Sequence, residues 1–186
     1  MPDPHSPLFV LTGGPGSGKS TVVYALASSG YRTREEVGRR IIQEQMRVSG
    51  PAVPWHDPDL YAEIMLSWEM RSFHELSDAT GPVFLDRGVP DVLGYLRLIG
   101  RPVPDHLAEA AAALTYNRRV FVFPPWPEIY GRDTERKQDF TEAVRTHDSM
   151  VETYGGLGYE LLNVPTGPVA GRVRFILDAA LGDGGR

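Results

Sequence analysis

Eight residues constrain this chain more than any others: Gly13-Gly14-Pro15-Gly16-Ser17-Gly18-Lys19-Ser20. They follow an apolar run at 8–11 and precede Thr21-Val22-Val23-Tyr24-Ala25-Leu26, which reads as a helix. Strand, Gly-rich loop and helix, in that order, is the context that gives a G-x-x-x-x-G-K-[ST] pattern its meaning. The glycines let the backbone curl until successive N–H groups point into one hollow. The helix adds its unpaired N-terminal donors and the positive end of its dipole, equivalent to roughly half a charge. In such a loop Lys19 reaches the β- and γ-phosphates and the Ser20 hydroxyl ligates Mg²⁺. The pattern therefore predicts a triphosphate cradle formed by Gly14, Pro15, Gly16, Ser17, Gly18, Lys19, Ser20 and Thr21.

At 186 residues the chain is long enough for one domain with a full core. Its net charge of −5 offers no overall positive field to a nucleic-acid backbone, so no nucleic-acid partner is expected. The lack of cysteine excludes disulfides, thiolate metal sites and a Cys nucleophile. No stretch approaches the roughly 18 apolar residues of a membrane span, and residues 1–7 lack the pattern of a signal peptide. A cytoplasmic enzyme, monomeric or homodimeric, is the expectation.

Residues 1–6 read as a loose leader, and the first helix runs from 19 to about 27. A short polar strand is expected at 31–37, followed by a helix at 39–47. After a Pro/Gly loop at 49–55, Asp57 or Asp59 caps a helix extending to about 76. Apolar strands are expected at 83–85 and 119–123, separated by helices at 90–99 and 104–114. A polar segment at 130–139, a helix at 140–154, a strand at 159–164 and a helix at 169–181 follow, with a flexible tail at 182–186. Strands alternating with helices predict a parallel sheet with helices on both faces.

A second set of residues falls at strand ends, where open parallel sheets bind ligands. Asp86 closes the 83–85 strand, where an acid can hold Mg²⁺ or take a proton from an attacking hydroxyl. The alternative is a cap for the helix near Pro90. Arg87 beside it can steady phosphates or make an ordinary surface pair. Glu35 and Glu36 end the second strand, and alternation sends only one of them inward. Glu36 is preferred as base or sugar-diol ligand because Gly38 allows close ligand approach, with Arg39 or Arg40 near to hold an anion. Arg132 and Arg136 stand at i,i+4 spacing in the polar segment, either as a lid closing on the transferring phosphoryl or as a solvated helix. Trp55, Phe73, Trp68, Trp126 and Tyr130 can line an acceptor pocket or belong to the core. The loop at 165–168 is the place expected for adenine, and the five scattered histidines earn no metal role.

With the P-loop, Glu36-x-Gly38-Arg39, Asp86-Arg87-Gly88 and the Arg132/Arg136 segment in view, the chain resembles the P-loop nucleoside and nucleotide kinases. More closely, it resembles the small AAA-28-type predicted ATPases, a group that includes the kinase domain of bacterial ribosylnicotinamide kinases. The resemblance spans nearly the whole chain and implies an α/β P-loop NTPase fold of three layers, with five parallel strands in the order 2-3-1-4-5. It also implies ATP or GTP as donor, with Mg²⁺ held by Ser20 and Asp86. In deoxynucleoside kinases an acid ending the second strand serves as base and an acid-Arg pair follows the third strand; Glu36 and Asp86-Arg87 match those places. The chain departs from those enzymes in having no alignable nucleoside-reading Gln or aromatic sandwich. The 186 residues include no counterpart expected for the fused adenylyltransferase domain of the longer ribosylnicotinamide enzymes, and they are too few for the helical lid domain expected of an AAA+ motor.

The leading expectation is a kinase that transfers the γ-phosphoryl of ATP to a hydroxyl or phosphate of a metabolite, nucleoside-like or antibiotic acceptor. Lys19, Glu36, Asp86, Arg87, Arg132 and Arg136 would carry it. The alternative is a nucleotide-dependent switch or a phosphohydrolase on the same scaffold.

Overall fold

Alternation along the strands decides which helices each face of the sheet collects. In the computed structural model, which describes residues 1–130 and 139–182, β1 (Leu8–Gly13), β3 (Val83–Asp86) and β4 (Arg119–Phe123) lie side by side at the centre. The short β2 (Arg32–Arg34) and β5 (Glu160–Asn163) flank them, so the order is β2-β3-β1-β4-β5 and every pairing is parallel. The expected 2-3-1-4-5 sheet is present.

Central strands covered on both faces are apolar at every position, and here the two faces differ in kind. The aliphatic Leu8, Val10, Val83, Leu85, Val120 and Val122 meet a mixed layer of aliphatic and tyrosine side chains built from α2 (Val37–Arg47), α3 (Pro58–Leu76), α4 (Val89–Leu98), α5 (Asp105–Ala113) and α7 (Phe140–Gly156). Phe9, Leu11, Phe84, Phe121 and Phe123 meet α1 (Lys19–Ser28) and α8 (Val169–Leu181). The rings of Phe9 and Phe84 stand 5.8 Å apart and those of Phe9 and Phe121 6.2 Å, so this layer is knit by aromatic contacts. A single turn, α6 (Pro127–Tyr130), follows β4. No helix among the described residues is long and apolar enough to cross a membrane.

Three local expectations change. The second strand stops at Arg34, because Glu36 is already the N-cap of α2 and Val37 its first residue. The side chain of Glu36 is therefore aimed by a helix start and not by strand alternation. The opening residues are not loose: Asp3 bridges to Asn117, and the Asn117 side chain donates to the carbonyls of Pro4 and Ser6. Asp57, not Asp59, caps α3, its carboxylate accepting from the Leu60 N–H at 3.0 Å. Residues 131–138 and 183–186 lie outside the described residues, and with them Arg132, Arg136 and most of the expected lid and tail.

Candidate active site

The C-terminal ends of β1 and β3 bring the site together. Register pairs Leu11 with Asp86, so the Gly-rich loop leaving β1 emerges beside the carboxylate that ends β3. Residues 84 and 86 share a face with α1, and Asp86 accordingly points at Ser20 in the first turn of that helix. Gly18 is the N-cap of α1 with φ 78°, a left-handed conformation that favours glycine. No side chain caps this helix, and its first turn carries no acid. The first-turn N–H groups are left for an anion, and Ser20 and Thr21 are exposed at the rim.

Inside the loop the carbonyls are held by cations and hydroxyls. The Ser17 hydroxyl donates to the Gly14 carbonyl at 2.9 Å. Lys19 Nζ donates to the carbonyls of Gly13 and Gly14 at 3.4 and 3.3 Å. Burial, aided by the nearby Arg87 guanidinium, holds the Lys19 amine below its ordinary value. The fields of Asp86, Glu36 and Asp91 work the other way on the same amine, which places all three acids around it. Pro15 and Gly16 form the half-buried crest of the loop. Gly14 lies so close to α7 that a methyl group there would collide with the Ala143 carbonyl.

Asp86 is 3% exposed, and burial pushes its carboxyl above the usual carboxylate range despite the Lys19 amine. One oxygen accepts from Ser20 Oγ at 3.5 Å; the other is buried without a hydrogen-bond partner. An orphaned carboxylate oxygen beside a helix-start hydroxyl is a set of hard oxygen donors, which fits Mg²⁺ completed by water and phosphate. No cluster of three or more His, Cys, Asp or Glu able to hold a metal exists among the described residues.

On the other side of the loop stands a chain of ion pairs. Arg87 Nε donates to Glu36 Oε1 at 2.9 Å and Arg87 Nη1 to Asp91 Oδ1 at 3.0 Å. Asp91 accepts as well from Thr12 Oγ1 at 2.5 Å, Tyr154 OH at 2.6 Å and the Gly88 N–H at 3.0 Å. With Gly88 it forms the cap of α4, the role first considered for Asp86. Burial works to raise the Glu36 carboxyl, yet Arg87 and Lys19 together hold it below the ordinary range. Glu36 is thus an ionised acceptor at neutral pH. Arg87 has φ 81°, which is costly for a residue with a Cβ and is a mark of functional sites. Glu35, Arg39 and Arg40 are exposed.

The Tyr61 hydroxyl closes over α2, 2.6 Å from where a Cβ on Gly38 would sit. Of the other aromatics, Trp55 is largely exposed, Trp68 is partly exposed and Phe73 packs edge-on against Tyr116. Tyr130 donates to the Asp139 carbonyl at 2.7 Å, and Trp126 lies beside Arg172. Asp91, Thr12, Tyr154 and Arg172 were not foreseen as site residues. The i,i+4 spacing of Arg87 and Asp91 is the one signal that pointed to any of them.

Residues 8–172 match the AAA_28 family, described as an AAA domain. The chain belongs to that family. A search of the curated proteins found no match. Among solved structures, this chain is similar to the NadR protein in complex with NR, at 19% identity and TM-score 0.69 over 95% of this chain and 51% of that one. The chain thus spans about half the length of NadR. It is also similar to deoxyadenosine kinase from M. mycoides with products dCMP and dCDP, at 11% identity and TM-score 0.64, covering 94% of this chain and 99% of that one. Shikimate kinase from Acinetobacter baumannii gives 16% identity and TM-score 0.53, with 97% and 96% covered. At these identities the likeness is one of fold: this AAA_28 chain has the fold of P-loop kinases.

Proposed function

We propose that this AAA_28 chain is an ATP- and Mg²⁺-dependent kinase that phosphorylates a hydroxyl of a small, nucleoside-like acceptor. The observation that carries this reading is the pair of acids flanking one phosphate loop. Asp86 sits on the Ser20 side with an unpartnered oxygen, and Glu36 stands on the α2 side, ionised and held by Arg87. A pure nucleotide switch has no need of the second acid. The complexes of NadR with NR and of deoxyadenosine kinase with nucleotide products agree with a nucleoside-like acceptor on this scaffold.

In the proposed reaction the amides at the start of α1 bind the β-phosphate, and Lys19 swings from the carbonyls of Gly13 and Gly14 to the terminal phosphates. Mg²⁺ bound by Ser20 and Asp86 would neutralise charge on the phosphate oxygens. Glu36 accepts a hydrogen bond from the acceptor hydroxyl and orients its oxygen in line with the γ-phosphorus. As the new O–P bond forms, the bond to the β,γ-bridging oxygen breaks, ADP leaves and the hydroxyl proton passes to Glu36. Arg87 keeps Glu36 in place and adds positive charge to the site. Arg132 and Arg136 are proposed to supply further charge from the segment beyond α6.

Acceptor-dependent ADP release tests the reading. Nucleosides, ribosides, sugars and antibiotics are added to the full chain with ATP or GTP and Mg²⁺, with Lys19→Ala as control. Stimulation by at least one acceptor, lost in the control, is expected. Turnover indifferent to every acceptor would indicate a switch or hydrolase, and wild-type turnover in Lys19→Ala would remove the loop from the chemistry.

A further inference from the structure

One buried cation touches the phosphate loop from outside and has no part in the reaction as described. Arg172, at the end of the first turn of α8, is 3% exposed. Its guanidinium lies over the rings of Phe123 and Trp126, with Cζ 4.7 and 5.4 Å from the ring centroids. Nη2 donates to the Ser17 carbonyl at 2.7 Å, across 155 positions of sequence. Nη1 lies 2.6 Å from where a Cβ on Gly18 would stand, so the cation rests directly against the residue that starts α1. Nε is buried without a partner. A buried guanidinium with one unsatisfied donor is costly, and burial lowers its pKa. The aromatic faces and the Ser17 bond offset part of that cost.

Peptide planarity gives the bond to Ser17 a consequence. In a trans peptide the C=O and the following N–H point in opposite directions. A cation that pulls the Ser17 carbonyl toward α8 therefore turns the Gly18 N–H toward the opposite side, into the loop. We propose that Arg172 is a positioning residue for the donor nucleotide, fixing the Ser17–Gly18 peptide so that its N–H is preset toward the phosphates. Lys19 performs the matching task from within on the carbonyls of Gly13 and Gly14 until phosphate draws it away. Arginine suits the outer place because a planar fork can lie flat on two rings and still donate in its own plane. An ammonium at the same position can do one or the other. The inference rests on the nucleotide-binding reading of the loop but not on the identity of the acceptor.

Calorimetry with ATP·Mg²⁺ on the full chain tests it through three proteins: wild type, Arg172→Lys and Arg172→Ala, each with its melting transition recorded. Both variants are expected to bind ATP about tenfold to a hundredfold more weakly, as loss of a charge-assisted bond implies. Low-millimolar guanidinium, far below denaturing levels, is expected to restore part of the affinity of Arg172→Ala and leave the wild type unchanged. Restored binding separates positioning from mere packing. Arg172→Lys keeps length and charge, so it decides the matter even where the alanine variant does not fold. A folded Arg172→Lys with wild-type affinity overturns the inference, as does weakened binding in Arg172→Ala that guanidinium leaves untouched. A wild type that binds no ATP would instead sink the proposed function itself.

Discussion

Replacing Arg87 separates what its backbone costs from what its side chain contributes. The residue holds φ 81°, and its guanidinium joins Glu36 to Asp91. Removing one partner of a buried ion pair typically costs about 3–5 kcal/mol. Here the loss is smaller, for two reasons. Glu36 is 26% exposed and can take up water, and Asp91 keeps the Thr12, Tyr154 and Gly88 donors. About 2–4 kcal/mol is therefore expected for Arg87→Ala. Arg87→Gly loses the same ion pairs but is spared the left-handed penalty, which is about 1–2 kcal/mol for a residue with a Cβ. Against that, glycine gains unfolded-state freedom worth about 0.4–1 kcal/mol. Arg87→Gly should thus be more stable than Arg87→Ala by about 1 kcal/mol, while both lose phosphoryl transfer alike. Urea unfolding at equal slope gives the difference directly. An alanine variant as stable as the glycine one would show that the backbone carries no strain there. A loss below about 1 kcal/mol in both would show that the ion pairs are not holding the two acids.

Three further substitutions have outcomes fixed by the same geometry. Glu36→Gln should lower kcat far more than it weakens ATP binding; the reverse pattern in steady-state kinetics would remove Glu36 from the base role. Because the folded Glu36 pKa is depressed, its stabilisation is present above the ordinary value of 4.5 and lost as pH falls through the folded value, so the glutamine variant should show a flatter acid limb in melting temperature. Glu69, 3% exposed in α3, has the opposite sign: burial raises its pKa well above 4.5, so its stabilisation is complete below that value and is lost as pH climbs through the folded one. Glu69→Gln should therefore melt above the wild type near about pH 8 and converge with it toward about pH 4.5, and parallel melting curves would refute this. Gly14→Ala, whose methyl group would meet the Ala143 carbonyl, should cost about 1–3 kcal/mol in urea unfolding and weaken ATP binding; unchanged values in both would mean that α7 yields freely.

Much of the fold was legible because its signals are local. The runs at 8–11, 83–85 and 119–123 are apolar at nearly every position, as strands covered on both faces must be, and the Gly-rich loop marks the first crossover. Asp86 was legible for the same reason, as an acid directly ending such a strand. Glu36 is preferred in the sequence for the close approach Gly38 allows, but the premise that strand alternation turns one of Glu35 and Glu36 inward does not apply, since β2 ends at Arg34 and a helix start aims the side chain. Its partner could not be read at all: Arg87 is 51 positions away and meets it only because β2 lies beside β3. Asp91 and Tyr154 join across 63 positions, and Arg172 reaches Ser17 across 155, each through packing that no sequence window contains.

The close seat of Gly14 on Ala143 ties the amino-terminal turn of α7 to the phosphate hollow as one rigid block. Tyr154, farther along the same helix, clasps Asp91 and so fastens that block to the floor beneath Arg87. Through Arg87 the start of α2 at Glu36 is joined to the same block, so Glu36 and Asp91 move together.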